Sequence, residues 1–191
     1  MILYSSFIIS PSPLPIFETL SSILISYMQV EEALLKIEKI VIADGIENDI
    51  IYFNYHKKRF RKMAETVSRI VPPGSTVLDI GSHYLHSSLL LSFMGYQVVS
   101  MDVSEFWELD YIRQRATDYQ LTPVVENQLE HVTSLGHETD RYDLILFTEI
   151  FEHITFNPIG FWKRVHTLIK THRKIYLPTR TSLNLYAIIK T

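Results

Sequence analysis

Three residues carry the strongest chemical signal: Asp79, Gly81 and Asp102. Val77-Leu78-Asp79-Ile80 reads as a buried strand that runs straight into Gly81. A helical stretch follows, then Gly95, then a second apolar run that ends at Asp102. Gly81 and Asp102 stand about 20 residues apart, the separation that brings a carboxylate beside a nucleoside ribose in a strand–helix–strand unit. A glycine after the first strand lets the chain turn tightly beside a ligand. A carboxylate at the end of the second strand can accept hydrogen bonds from ribose hydroxyls. The loop reads Gly81-Ser82-His83-Tyr84-Leu85, so the further glycines of G-x-G-x-x-G are missing. A pyrophosphate needs close backbone approach, and that counts against a dinucleotide.

Other candidate groups are fewer. Glu149 and His153 lie in Glu149-Ile150-Phe151-Glu152-His153, just past a fourth strand, where open α/β sheets bind ligands. Either could serve as a base; a helix-capping acid and a structural histidine are the bland alternatives. His83 and His86 have no convincing third partner for a metal, and none is expected. The run His56-Lys57-Lys58-Arg59-Phe60-Arg61-Lys62 is basic. It reads either as a solvated helix face or as a contact for a phosphorylated acceptor.

The elements that must position these residues follow from texture. Three alternating prolines make residues 1–15 an irregular arm. Helical periodicity runs from Ile16 to about Ala43 and again from about Asp49 to Ile70. After Pro72-Pro73-Gly74, β-branched runs at Thr76–Ile80, Val98–Met101, Pro123–Glu126, Leu144–Phe147 and Lys174–Leu177 alternate with helical stretches around His86–Met94, Glu105–Tyr119 and Gly160–Ile169. That alternation predicts an α/β fold with a mainly parallel sheet of about five strands, ordered 3-2-1-4-5, behind N-terminal helices. Residues 1–72 then form an arm with helices, and residues 73–191 a Rossmann-like domain.

Composition narrows the function classes. The chain has 191 residues and no cysteine, which excludes disulfides, thiol nucleophiles and thiolate metal sites. A net charge of −3 shows no nucleic-acid footprint. No uninterrupted apolar stretch of membrane-spanning length occurs, and the N-terminus lacks the basic flank of a secretory leader. A cytoplasmic location is expected.

From about Lys57 to Asn184 the chain resembles the class I S-adenosylmethionine-dependent methyltransferases, in particular small-molecule enzymes of glycan and natural-product clusters. VLDIG (77–81) resembles their first motif, VVSMD (98–102) their second strand and YDLILFTEIFEHI (142–154) their fourth strand with its acidic turn. The resemblance implies S-adenosylmethionine as cofactor. It implies that Asp79 and Gly81 border the methionine part, that Ser82 and His83 also belong to the cofactor-binding loop, and that Asp102 binds the ribose with Val103 beside the adenine. Gln128 and Leu129 would stand at the adenine, Gln128 in place of an acid, and Glu149 would line the floor near the methyl group. The implied acceptor is a small molecule or a glycan precursor, with no nucleic acid and no membrane. Only 13 residues follow Pro178, too few for the family's closing hairpin of two antiparallel strands. The expectation is a sheet truncated at its C-terminal side: either the chain is a fragment, or the gene has lost the hairpin, or a partner, such as a second copy in a homodimer, covers the exposed fifth strand.

Overall fold

The computed structural model describes residues 27–148, 150, 154–177 and 185–188, the last by backbone alone. Two helices come first, α1 (Val30–Asp44) and α2 (Glu47–Ile70). Within the described part of the stretch expected to be helical from Ile16, α1 starts at Val30, after Gln29 in extended backbone (φ −72°, ψ 158°). The Gln29 amide donates to the Glu32 carboxylate at 3.2 Å, which satisfies a donor at the helix start. The expected arm and residues 16–26 lie outside the described residues.

Strands and helices then alternate as the texture predicts: β1 (Thr76–Ile80), α3 (His86–Phe93), β2 (Gln97–Asp102), α4 (Ser104–Trp107), α5 (Asp110–Asp118), β3 (Thr122–Val125), β4 (Tyr142–Phe147), α6 (Pro158–Leu168) and β5 (Ile169–Leu177). The single helix expected over Glu105–Tyr119 is two, broken at Glu108–Leu109. Arg113 braces the break by donating to the Trp107 carbonyl at 3.0 Å. β1 to β5 form a parallel sheet in the order 3-2-1-4-5.

One element departs from expectation. A sixth strand, β6 (Leu185–Ile188), pairs antiparallel with β5, with Ile175 opposite Ala187. β6 covers Lys174–Leu177 of the β5 edge that was expected to be exposed.

The core follows the two-residue period of the strands. Val77, Val98, Leu144 and Leu146 face a layer built from α1, α2, α3 and α5. Leu78, Ile80, Met101, Ile145 and Phe147 face the α6 layer. Leu34, Ile37, Phe53 and Phe60 of the N-terminal helices join the first layer, so α1 and α2 share a core with α3 and β1. Gly95 fits this packing: a Cβ there would stand 2.1 Å from the Tyr27 ring. β3 forms one border of the sheet and carries Pro123, a residue tolerated at edges. The Trp107 indole N–H donates to the Val124 carbonyl at 3.0 Å and fastens α4 across that border.

Candidate functional site

Asp79 lies on β1 and faces the α3 layer, with Ser100 of β2 on one side along the sheet and Leu146 of β4 on the other. It is completely buried. A buried carboxylate needs donors, and the chain provides two hydroxyls. Ser88 on α3 donates to Asp79 Oδ2 at 2.7 Å, and Thr148, just past β4, donates to Oδ1 at 3.5 Å. Ser100 on β2 donates in turn to Ser88 at 2.8 Å, so a polar column crosses the apolar layer. Burial pushes the Asp79 carboxyl up to about 7; the two hydroxyls pull it down, and the Asp102 charge adds to the rise.

Beyond Ile80 the chain turns. Gly81 has φ +78°, and a Cβ there would meet the Ile150 side chain at 3.1–3.2 Å. The Gly81 and Ser82 amides both donate to the Met101 carbonyl, at 2.9 and 3.1 Å, which locks the loop onto the end of β2. His83 (φ +48°) and Leu85 (φ +67°) also take left-handed backbone, a conformation that costs a non-glycine residue about 1–2 kcal/mol. The loop thus keeps a glycine-type path with side chains attached. The His83 ring packs between Tyr52, Tyr84 and Phe106, with centroids 3.9–4.7 Å apart. Burial pushes its imidazole down to about 4, so the ring is neutral near pH 7.

Asp102 closes the other side. Its Oδ2 accepts from the His83 amide at 2.6 Å and its Oδ1 from the Val103 amide at 2.8 Å. Burial raises its pKa, and these two amides oppose the rise. Each carboxylate oxygen offers two lone pairs, so both retain an acceptor site. Val103 is half-buried at the start of α4. Gln128 is exposed and Leu129 half-buried, the latter packed toward the α6 layer. Their loop hangs on Glu126, which the sequence reading passed over. Glu126 is buried, its carboxylate accepts from the Gln128 and Ser134 amides at 2.8 and 2.9 Å, and its own amide donates to the Asp102 carbonyl at 2.9 Å. Asp79, Gly81, Ser82, His83, Asp102 and Val103 are therefore brought together at the carboxyl ends of β1 and β2, and the Gln128–Leu129 loop is tied to the same corner. Glu149 and His153 lie outside the described residues.

Helix α2 forms the roof, a role with no signal in the sequence. Tyr52, Arg59 and Phe60 line a cavity of about 10 Å3 together with Gly81, Ser82, His83, Tyr84 and Thr148. The basic run is split by this arrangement. Lys57 pairs with Glu38 at 2.8 Å and Arg61 pairs with Glu31, both on the outer side, while Arg59 bonds the Tyr52 hydroxyl at 3.3 Å. Ser82 Oγ and His83 Nδ1 are buried without a hydrogen-bond partner. Such orphaned polar atoms beside a cavity suit a polar ligand. A positive sulfonium suits Asp79, and ribose hydroxyls suit the acceptor sites left on Asp102. The donor set therefore fits S-adenosylmethionine. Among the described residues there is no group of three histidine or acidic side chains able to hold a metal, and no helix long and apolar enough to cross a membrane.

Comparison with known proteins agrees with this geometry. A methyltransferase-domain family matches residues 55–186. No curated protein sequence matches the chain. Among solved structures, a protein described as an S-adenosyl-L-methionine-dependent methyltransferase from Methanococcus maripaludis is 15% identical over 79% of this chain and 64% of its own, with a TM-score of 0.51. A Pyrococcus horikoshii protein is 17% identical over 71% of this chain and 76% of its own, also at 0.51. A protein described as a methyltransferase from Bacillus halodurans is 14% identical over 61% and 48%, at 0.50. The chain thus spans less than two thirds of the M. maripaludis and B. halodurans proteins. At such identities the likeness establishes the fold, a Rossmann-like methyltransferase fold.

Proposed function

Because the chain belongs to the methyltransferase-domain family, we propose that it binds S-adenosylmethionine against the β1 loop and transfers the methyl group to a small molecule or a glycan precursor. The observation that carries this reading is the convergence of buried Asp79, the Gly81 turn and Asp102 on one corner, with Ser82 Oγ left unpartnered there. When bound, the cofactor supplies a methyl group already activated as a sulfonium.

The protein's own residues have four tasks. Ionised Asp79 would complement the positive charge of the cofactor. Asp102 would accept from the ribose hydroxyls while its amide partners keep it oriented. Val103, Gln128 and Leu129 would border the adenine. Glu149 and His153 follow β4 in the sequence, and either would serve as the base that takes the acceptor's proton. Positioning and exclusion of water supply most of the acceleration in such an in-line displacement.

A second reading has its own support. The loss of the further glycines from the loop, with the bulky His83 and Tyr84 in their place, is the observation that favours a non-catalytic binding or scaffolding module. Isothermal titration with S-adenosylmethionine and S-adenosylhomocysteine separates the two. The enzyme reading expects micromolar-range binding of both, and a folded chain that binds neither refutes it.

A further inference from the structure

Beneath the loop, outside the corner formed by Asp79, Gly81 and Asp102, lies a buried ionic cluster. Arg115 of α5 is 2% exposed. Its Nε donates to Asp44 at 2.7 Å, its Nη2 to Asp49 at 2.5 Å and its Nη1 to the Tyr84 carbonyl at 2.9 Å. His86, the first residue of α3, places Nε2 2.8 Å from the second Asp49 oxygen. One guanidinium thus joins the end of α1, the start of α2, α5 and the loop. Burying such a cluster is weak support for stability, since well-packed apolar side chains serve as well or better. Its recurrent use is to specify one conformation among several.

The conformation at stake is adjacent. Tyr84 is flanked by His83 and Leu85, two non-glycine residues with left-handed backbone. Such residues persist only where their surroundings over-determine them. On one side the His83 amide is held by Asp102, and on the other the Tyr84 carbonyl is held by Arg115. Arginine suits this task because its planar fork reaches two carboxylates and a carbonyl at once, which a lysine ammonium on a flexible stem does not reproduce.

We propose that Arg115 is a positioning residue for the cofactor loop: its bond to the Tyr84 carbonyl keeps His83 and Leu85 left-handed and the His83 amide turned toward Asp102. The proposal rests on the cofactor reading above for its effect on binding, but not for its effect on the loop.

The test uses the full chain as R115M, R115K and D49N/R115M, each with and without H83G. The double variant D49N/R115M leaves no stranded carboxylate at position 49 and keeps the test open where R115M fails to fold. Amide hydrogen exchange of the segment 81–86 reads the loop, and titration with S-adenosylhomocysteine reads binding. Loss of Arg115 is expected to speed exchange in the loop at least tenfold and weaken binding at least tenfold, with little recovery in R115K. Glycine at position 83 adopts positive φ freely, so H83G is expected to recover at least threefold of each loss. A purely structural role would show no such rescue. Unchanged loop exchange in a folded Arg115 variant overturns the proposal. So does an effect of H83G that is equal with and without Arg115, or loss of folding in all three variants. If the unaltered chain binds neither cofactor form, the cofactor reading falls, and loop exchange alone decides the role of Arg115.

Discussion

Asp79→Asn should stabilise the protein at neutral pH while abolishing cofactor binding. Asp79 is wholly buried, and its carboxyl is pushed from 3.8 up to about 7. A carboxyl raised in the folded state binds more protons when folded than when unfolded between those two values. Its contribution therefore falls as pH rises through that window and is fully lost above about 7. Roughly three pKa units at about 1.4 kcal/mol each give a cost of at most about 4 kcal/mol at pH 8. Asparagine has nearly the same shape, can accept from Ser88 and donate to Thr148, and never ionises. The measurement is urea unfolding of D79N and the unaltered chain from pH 4 to pH 8. Histidines contribute the opposite slope, because His56 and His83 are held down to about 4 by burial and resist protonation when folded. They cancel in the difference between the two proteins. That difference should be near zero at pH 4 and climb to about 2–4 kcal/mol in favour of D79N at pH 8. A flat difference, or a variant that is less stable at pH 8, refutes the reasoning.

The same carboxyl predicts that affinity for S-adenosylmethionine rises up to tenfold per pH unit below about 7 and then levels off, with a smaller slope for the uncharged sulfur of S-adenosylhomocysteine; titration calorimetry from pH 5.5 to 8.5 checks this. Gly81→Ala forces a Cβ to within 3.1–3.2 Å of Ile150 at φ +78° and should cost about 1–3 kcal/mol in chemical unfolding, with binding lost. Asp102→Ala should weaken binding at least tenfold and speed hydrogen exchange at the His83 amide, which loses its acceptor. Ser88→Ala removes the closest donor to Asp79 and should raise that carboxyl further, moving the midpoint of the binding profile to higher pH.

Much of the fold was legible because strand and helix texture report burial directly. The first strand matches at both ends, its alternation with helices implies a parallel sheet, and the order 3-2-1-4-5 is the one the Rossmann-like resemblance implies. β6 was missed because four residues beyond a proline-containing link carry too little periodicity, and its pairing with β5 is a tertiary event. Within the site, Asp79, Gly81 and Asp102 were readable since their spacing is fixed by one strand–helix–strand unit. Thr148, Tyr52 and Arg115 were not, since they reach the loop from elements distant in sequence. The left-handed backbone at His83 and Leu85 had no signature either, because glycine is the residue that normally announces it.

The border strand β3 has a consequence for how molecules meet. An open sheet edge is a template on which a neighbouring chain can extend a ladder. Here the strand is four residues long, and Pro123 offers no N–H on the open side. Arg113 and Trp107 stand over the groove beside it. This side of the sheet is a blunt end, so crowding in concentrated solution presses molecules together there without giving them a seam along which fibres could grow.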